Sequence, residues 1–324
     1  MDLALSRLRI VGSRCAPAQG AGVFCPDQEL FERLVSELAV AMAPPVNAPA
    51  RGAGPRSFRV GLDTTITTID SDESYWALGT EGDGGSINAA PQPVLVWNRA
   101  QVQKGLPFGF ELGLALGQGA GTSLWTMGVA LKWALVEGFY SGLGRLPDVS
   151  LQAGVDRSVG SSQATVTDYA FDLRLSKPFV IEHAWSIAPF TGVQTLFTRV
   201  ESGAIDLTPG GPADPAHEGQ TLPAQDAYNA CAPRPGNQLD PPANLVCSSN
   251  TGLSDFKNDV VFNPVHQTRV RVFVGGQARY ERLLVSLSLM FDLVAPSLSA
   301  APRHLESSQV ARQLAFNIAV GAVL

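Results

Sequence analysis

The stretch Trp125-Thr126-Met127-Gly128-Val129-Ala130-Leu131-Lys132-Trp133-Ala134-Leu135 alternates large apolar residues with small or polar ones. A period of two belongs to an extended chain, whose successive side chains leave opposite faces, so this is a β-strand with one apolar face. Carried outward in both directions, the same reading predicts ten strands, at residues 57–70, 93–104, 107–117, 122–136, 147–158, 163–176, 185–201, 265–280, 283–294 and 308–324. Most exceed the roughly five or six residues usual in soluble sheets. Pro189 and mixed parity in the seventh strand leave the count at about ten, between about eight and twelve.

Composition narrows the class. Of 324 residues, 45% are hydrophobic and only 16% charged, with a net charge of -6. That is too apolar for a disordered chain or a coiled coil, and it lacks the basic footprint of a nucleic-acid binder. No stretch approaches the roughly 18 consecutive apolar residues of a spanning helix. Residues 1–12 carry Arg7 and Arg9 where a signal peptide would have its apolar core, so no signal peptide is visible in them. The four cysteines form two local pairs in polar segments, Cys15 with Cys25 and Cys231 with Cys247, none near a histidine at zinc spacing. They are expected to be loop disulfides of an oxidising compartment.

The connections test the strands independently. Three of the five odd-numbered ones are long (71–92, 202–264 and 295–307), whereas the even-numbered ones are short or medium. Long and short connections therefore fall on opposite ends of an up-and-down meander, as in outer-membrane barrels with short periplasmic turns and long outer loops. An even strand count places both termini on the short-turn side.

Which face is apolar separates a membrane barrel from a soluble one. Here the alternate face carries charge on strand after strand: Arg59 and Asp63, Arg99, Glu111, Lys132, Asp156, Asp168 with Asp172 and Arg174, Arg269 with Arg271 and Arg279, and Asp292. A soluble sandwich also shows water a polar face, so the aromatic residues weigh more. Trp125 and Trp133 stand eight residues apart, which on a strand tilted by about 40° is roughly 20 Å along a membrane normal. That approximates two aromatic girdles, with Tyr169, Tyr280, Phe291 and Phe316 on the same outward parity.

The final strand turns Leu314, Phe316, Ile318, Val320, Ala322 and Leu324 outward. In this the sequence resembles bacterial outer-membrane β-barrel proteins, over residues 57–324, and the run Lys104-Gly-Leu-Pro-Phe-Gly-Phe-Glu-Leu-Gly113 looks like turns in poorly characterised, porin-like members of that class. That class usually closes on an aromatic residue, where this chain has Leu324. The resemblance implies an all-β transmembrane barrel in the outer membrane. Its partners would be outer-membrane lipid and, through the last strand, the barrel-assembly machinery.

Residues 1–56 form a separate segment. Leu30, Phe31, Leu34, Val35, Leu38 and Met42 share one helical face over residues 27–42, with Asp27, Glu29, Glu32 and Glu37 elsewhere. An amphipathic helix is predicted, followed by a proline-rich linker, residues 44–55, that reaches the barrel mouth. The apolar face needs a partner: the lumen, the periplasmic opening, or another protein.

The inward charges support two readings, a salt-bridged interior that holds the barrel shut, or a polar path for small solutes with the arginines of strand eight facing the acids of strands five and six. Glu111 and Lys132, of one parity on adjacent strands, are placed to pair. No catalytic, metal or cofactor motif is present. Gly117-Gln-Gly119-Ala-Gly121 lies in a hairpin and opens no helix, so it is no dinucleotide loop. The acids Asp70, Asp72, Glu73, Glu81 and Asp83 lack the ordered spacing of a calcium loop. The histidines His183, His217, His266 and His304 are scattered. The leading expectation is a narrow or gated conduit. The second is a structural or adhesive barrel that binds an external ligand through residues 202–264. The third is a rim hydrolase of omptin type, with Asp70 and Asp72 facing His266 to activate a water.

Overall fold

Ten antiparallel strands close into a ring in the computed structural model of the chain, which describes residues 2–11, 15, 24–82, 85–137, 146–182, 185–207, 259–298 and 310–324. They are β1 (Phe58–Thr68), β2 (Val94–Gly105), β3 (Phe110–Gly119), β4 (Trp125–Val136), β5 (Asp148–Val159), β6 (Ala164–Ser176), β7 (Trp185–Ser202), β8 (Val265–Tyr280), β9 (Leu283–Val294) and β10 (Leu314–Val323). Each pairs with its neighbours in sequence, and β10 closes on β1 from Ala315 opposite Thr67 to Val323 opposite Arg59. No sheet edge is left along this ring, which is how a spanning sheet satisfies its backbone in hydrocarbon.

The wall is inside-out relative to a soluble protein. In β4, Leu131 is 46% exposed on the outer face while the adjacent Lys132 is 4% exposed and turned inward. Trp125, Trp133, Tyr169, Tyr280 and Phe291 are exposed on the outer surface, and Phe316 is half-buried on the same parity. An apolar exterior around a charged, buried interior belongs to a transmembrane barrel. Aromatic contacts brace the outer face: Phe110 stacks on Trp133 with centroids 5.5 Å apart, and Trp185 lies 4.7 Å from Tyr280.

Two boundaries differ from the sequence reading for identifiable reasons, and one strand differs in its parity. β3 starts at Phe110 rather than 107, because Pro107–Gly109 forms a 3-10 turn in which Phe108 and Gly109 adopt positive φ. β10 starts at Leu314 rather than 308, with the Gln313 amide turned inward to donate to Glu37 O and Thr68 O. β7 holds a single parity through Pro189, which faces Gly276 of β8.

The placement of the N-terminal segment corrects the expectation that both termini lie on the short-turn side. Phe58 and Leu324 do meet there, through a pair of backbone hydrogen bonds. Residues 2–11 lie at the opposite end, among the long connections. Leu3 bridges Thr80, Leu5 N donates to Gln163 Oε1 (2.8 Å), and Ser123 N donates to Asp2 Oδ1 (2.6 Å). Helix α1 (Gln28–Met42) follows, capped by Asp27, whose side chain accepts from Leu30 N. Residues 43–53 then run back through the barrel to reach β1.

At the long-connection end, Leu5, Leu8, Phe31, Leu34, Trp76 and Phe262 share one apolar cluster, in which Phe31 stacks on Phe262 at 4.5 Å. Trp76 comes from a short helix, α2 (Ser74–Gly79), in the first long connection. Cys15 and Cys25 are joined in a disulfide beside a two-stranded ribbon of Arg9–Val11 and Phe24–Pro26. Cys231 and Cys247 lie outside the described residues, as do His183, His217 and His304.

Candidate functional site: a lumen threaded by the chain's own N-terminal segment

Residues 44–50 read Pro-Pro-Val-Asn-Ala-Pro-Ala, a composition that cannot form a helix and has no N–H at three of its seven positions. Such a segment offers a surplus of carbonyls, and every one of its residues is buried. Buried carbonyls need donors, and the barrel wall supplies them. Arg99 of β2 donates to Met42 O (3.1 Å), Gln194 of β7 to Pro44 O (3.2 Å) and Ser288 of β9 to Val46 O (2.7 Å). Arg174 of β6 donates to Ala48 O (3.2 Å), Lys132 of β4 to Arg51 O (3.2 Å), and Arg269 of β8 to Ser36 O within α1 (3.3 Å).

Four of these donors are cations, and each also holds a carboxylate of the wall: Lys132 with Glu111 at 2.6 Å, Arg174 with Asp172 at 2.7 Å, Arg99 with Asp156, and Arg269 with Asp292. A guanidinium or ammonium buried in a narrow lumen requires a counter-charge and partners for its remaining protons. Here the wall provides the charge and the threaded segment a further acceptor for each cation. Wall acceptors hold the segment's own N–H groups further along: Ala50 N donates to Ser176 Oγ (3.0 Å), Gly52 N to Glu137 Oε1 (2.7 Å), and Ala53 N to Glu111. Asn47 donates to Asp63 at 3.2 Å, and Val46 packs with inward Phe190, Phe273 and Met290.

Local sequence makes this geometry possible. Glu111 and Lys132 are cross-strand partners in the β3–β4 register, so their pairing follows from strand parity. Gly128 leaves open the space that the Asp156 carboxylate occupies on its way to Arg99, since a Cβ there would sit 1.7 Å from Asp156 Oδ1. Gly117 and Gly119, which the sequence shows as a glycine-rich turn, are glycines because the Trp97 indole lies across them. A Cβ at either would come within 2.6 Å of the ring.

The remaining inward charges have local partners. Asp168 accepts from Thr198, Arg271 donates to Gln194, and Arg59 donates to Gln103 at 3.2 Å. Arg279, exposed at the short-turn end, donates to Glu281 O at 2.7 Å. The arginines of β8 thus bond to adjacent strands and to α1 rather than spanning the lumen to the acids of β5 and β6. Between the threaded segment and the wall lies a cavity of about 40 Å3, bordered by Pro44, Asn47, Arg99 and Asp156. That is room for about one water, whose share of liquid volume is about 30 Å3.

Helix α1 is anchored at its polar face. Glu37 accepts three hydrogen bonds, from Tyr75 OH (2.7 Å), Trp76 Nε1 (2.9 Å) and Asp70 N (3.0 Å). Burial pushes its carboxyl above the ordinary value of 4.5, against the opposing pull of those three donors. Sequence reasoning missed Gln194, Ser288 and Glu37 as a set. The available signal was the proline-rich run itself, whose carbonyls had to be satisfied wherever it was buried. Among the described residues, no hydrogen bond or ion pair joins the exposed His266 to Asp70 or Asp72.

No family model and no curated protein match this chain. Among solved structures, it is similar to the outer membrane protein OprG from Pseudomonas aeruginosa, at 10% identity, covering 86% of this chain and 99% of that one with a TM-score of 0.30. It is also similar to the N-terminal β-barrel domain of OprF from the same organism, at 9% identity over 84% and 99% of the two chains with a TM-score of 0.25. A third is Ail, the attachment invasion locus protein of Yersinia pestis, at 6% identity over 83% and 99% with a TM-score of 0.26. Values this low carry no weight of their own, and the barrel stands on its register and on its inside-out burial.

Proposed function

We propose that the protein is an outer-membrane barrel acting as a gated conduit for small solutes, closed in the observed state by α1 and residues 43–53. The observation that carries this reading is the double engagement of Arg99, Lys132, Arg174 and Arg269, each between a wall carboxylate and a carbonyl of the internal segment. Hydrogen bonds of this kind contribute about 0.5–3 kcal/mol net apiece, because water replaces them when the segment leaves. The lumen left behind would be wet, polar and lined by both signs of charge. Lipid covers the outer band, and the last strand is the segment an assembly machinery would read.

The test is single-channel recording in planar bilayers. The full chain should give rare openings, and the Arg99→Gln/Asp156→Asn double variant, which removes one clamp and leaves the net charge unchanged, should open more often. Silent membranes for both would overturn the conduit and favour the structural or adhesive barrel.

A further inference from the structure

A second cavity, of about 240 Å3, lies at the long-connection end and takes no part in the threading of the lumen. Its lining is Leu3 of the N-terminal segment, Leu38 of α1, Trp76 of α2, Leu95 and Trp97 of β2, and Leu124. Val94 and Val96, on the outward parity of β2, also border it, so it is reached from both faces of the wall's upper edge. We propose that this cavity binds a compact, uncharged apolar molecule, such as a one- or two-ring aromatic or a short hydrocarbon chain.

Size and chemistry both point to that class. An apolar cavity of about 150 Å3 inside a protein stays dry and accepts a benzene ring, and this one is larger. The polar groups at its border are bonded to the protein. Trp76 Nε1 donates to Glu37, Trp97 Nε1 donates to Thr126 Oγ1 (3.1 Å), and Asp2 accepts from Ser123 N. Thr80 Oγ1 donates to Trp76 O and accepts from Asn88 (2.9 Å), while Thr122 Oγ1 accepts from Leu124 N (3.1 Å). Gln92 lies at the exposed rim. A charged or strongly hydrogen-bonding ligand would lose its water here and gain little in exchange, whereas an apolar one gains contact with two indoles and four leucines. The site does not depend on whether the barrel conducts.

The five tryptophans supply a probe. Trp125, Trp133 and Trp185 face outward, and the other two, Trp76 and Trp97, line the cavity. In the full chain with Trp125, Trp133 and Trp185 replaced by Phe, held in detergent, 1-bromonaphthalene should quench the remaining emission along a saturating curve. Ala120, exposed at the cavity's border, offers a way to obstruct it, and Ala120→Phe in that background should weaken the apparent affinity at least tenfold. Quenching that rises linearly and equally in both chains would mean partition into the micelle only and would overturn the site. A second measurement needs no tryptophan change. Naphthalene should raise the thermal midpoint of the unaltered chain but not of Ala120→Phe, as binding to the folded state alone requires. Equal midpoints with and without naphthalene in the unaltered chain would overturn the proposal as well.

Discussion

The indole of Trp76, in the first long connection, donates to the carboxylate of Glu37 at 2.9 Å, and so ties a surface loop to the helix inside the barrel. Tyr75 and the Asp70 amide converge on the same carboxylate, which makes Glu37 a polar anchor between α1 and the wall. Three donors on one buried acid form a unit: lose the acid, and all three lie unsatisfied.

Glu37→Ala should therefore lower the thermal midpoint in detergent markedly, since each stranded donor costs about 1–3 kcal/mol. Glu37→Gln, which keeps an acceptor, should lose far less. Equal losses for the two variants would show that the site serves as volume rather than as a hydrogen-bond anchor.

The same residue sets a pH dependence. Its folded pKa lies above the ordinary 4.5, so the folded state holds this proton more tightly than the unfolded chain does. Its contribution is then fully present below about pH 4.5 and is lost as pH rises through the raised folded value. The midpoint of Glu37→Gln relative to the parent should therefore climb across that window. A difference that stays flat, or falls with pH, would reverse the assignment.

Loosening the clamps should expose the threaded segment. Ala48 is buried, with its carbonyl held by Arg174 at 3.2 Å. A thiol placed there by Ala48→Cys, with Cys231 and Cys247 changed to Ser, should react slowly with a membrane-impermeant maleimide. Adding Arg174→Gln with Asp172→Asn should speed labelling several-fold. Rapid labelling in the parent chain would mean that the segment is not held in the lumen.

Gly128→Ala places a Cβ 1.7 Å from Asp156 Oδ1 and so pushes that carboxylate off Arg99. Overpacking of this kind costs about 1–3 kcal/mol, readable as a lower midpoint or as a loss of the heat-modifiable band on gels. The neighbouring Ala130→Gly makes no such clash and serves as the control.

Val129, exposed and midway between Trp125 and Trp133, tests the outer face. An arginine there should destabilise folding into bilayers by about 2–4 kcal/mol, as at a bilayer midplane. Little change would mean that this face meets water.

The ten strands were legible because a two-residue period survives any tertiary context that keeps one face apolar. Charges of one parity and apolar residues of the other then dictate an inside-out wall, and the Glu111–Lys132 pair follows from that parity once the hairpin register is set. The helix was legible too, from its 3.6-residue period and the acids of its first turn. Both signals are local.

The path of the N-terminal segment was not, since it depends on contacts between residues more than a hundred positions apart, such as Arg174 with Ala48 and Ser288 with Val46. Periodicity marks which face of a strand is charged and is silent on what the charges touch. The arginines of β8 could be read as facing acids across an open lumen only while the space between them was taken as empty. Once α1 and the proline-rich stretch fill that space, those arginines bond instead to Asp292, Gln194 and Ser36 O close at hand, because a hydrogen bond needs a donor within about 3 Å of its acceptor and no pattern along a strand specifies that distance.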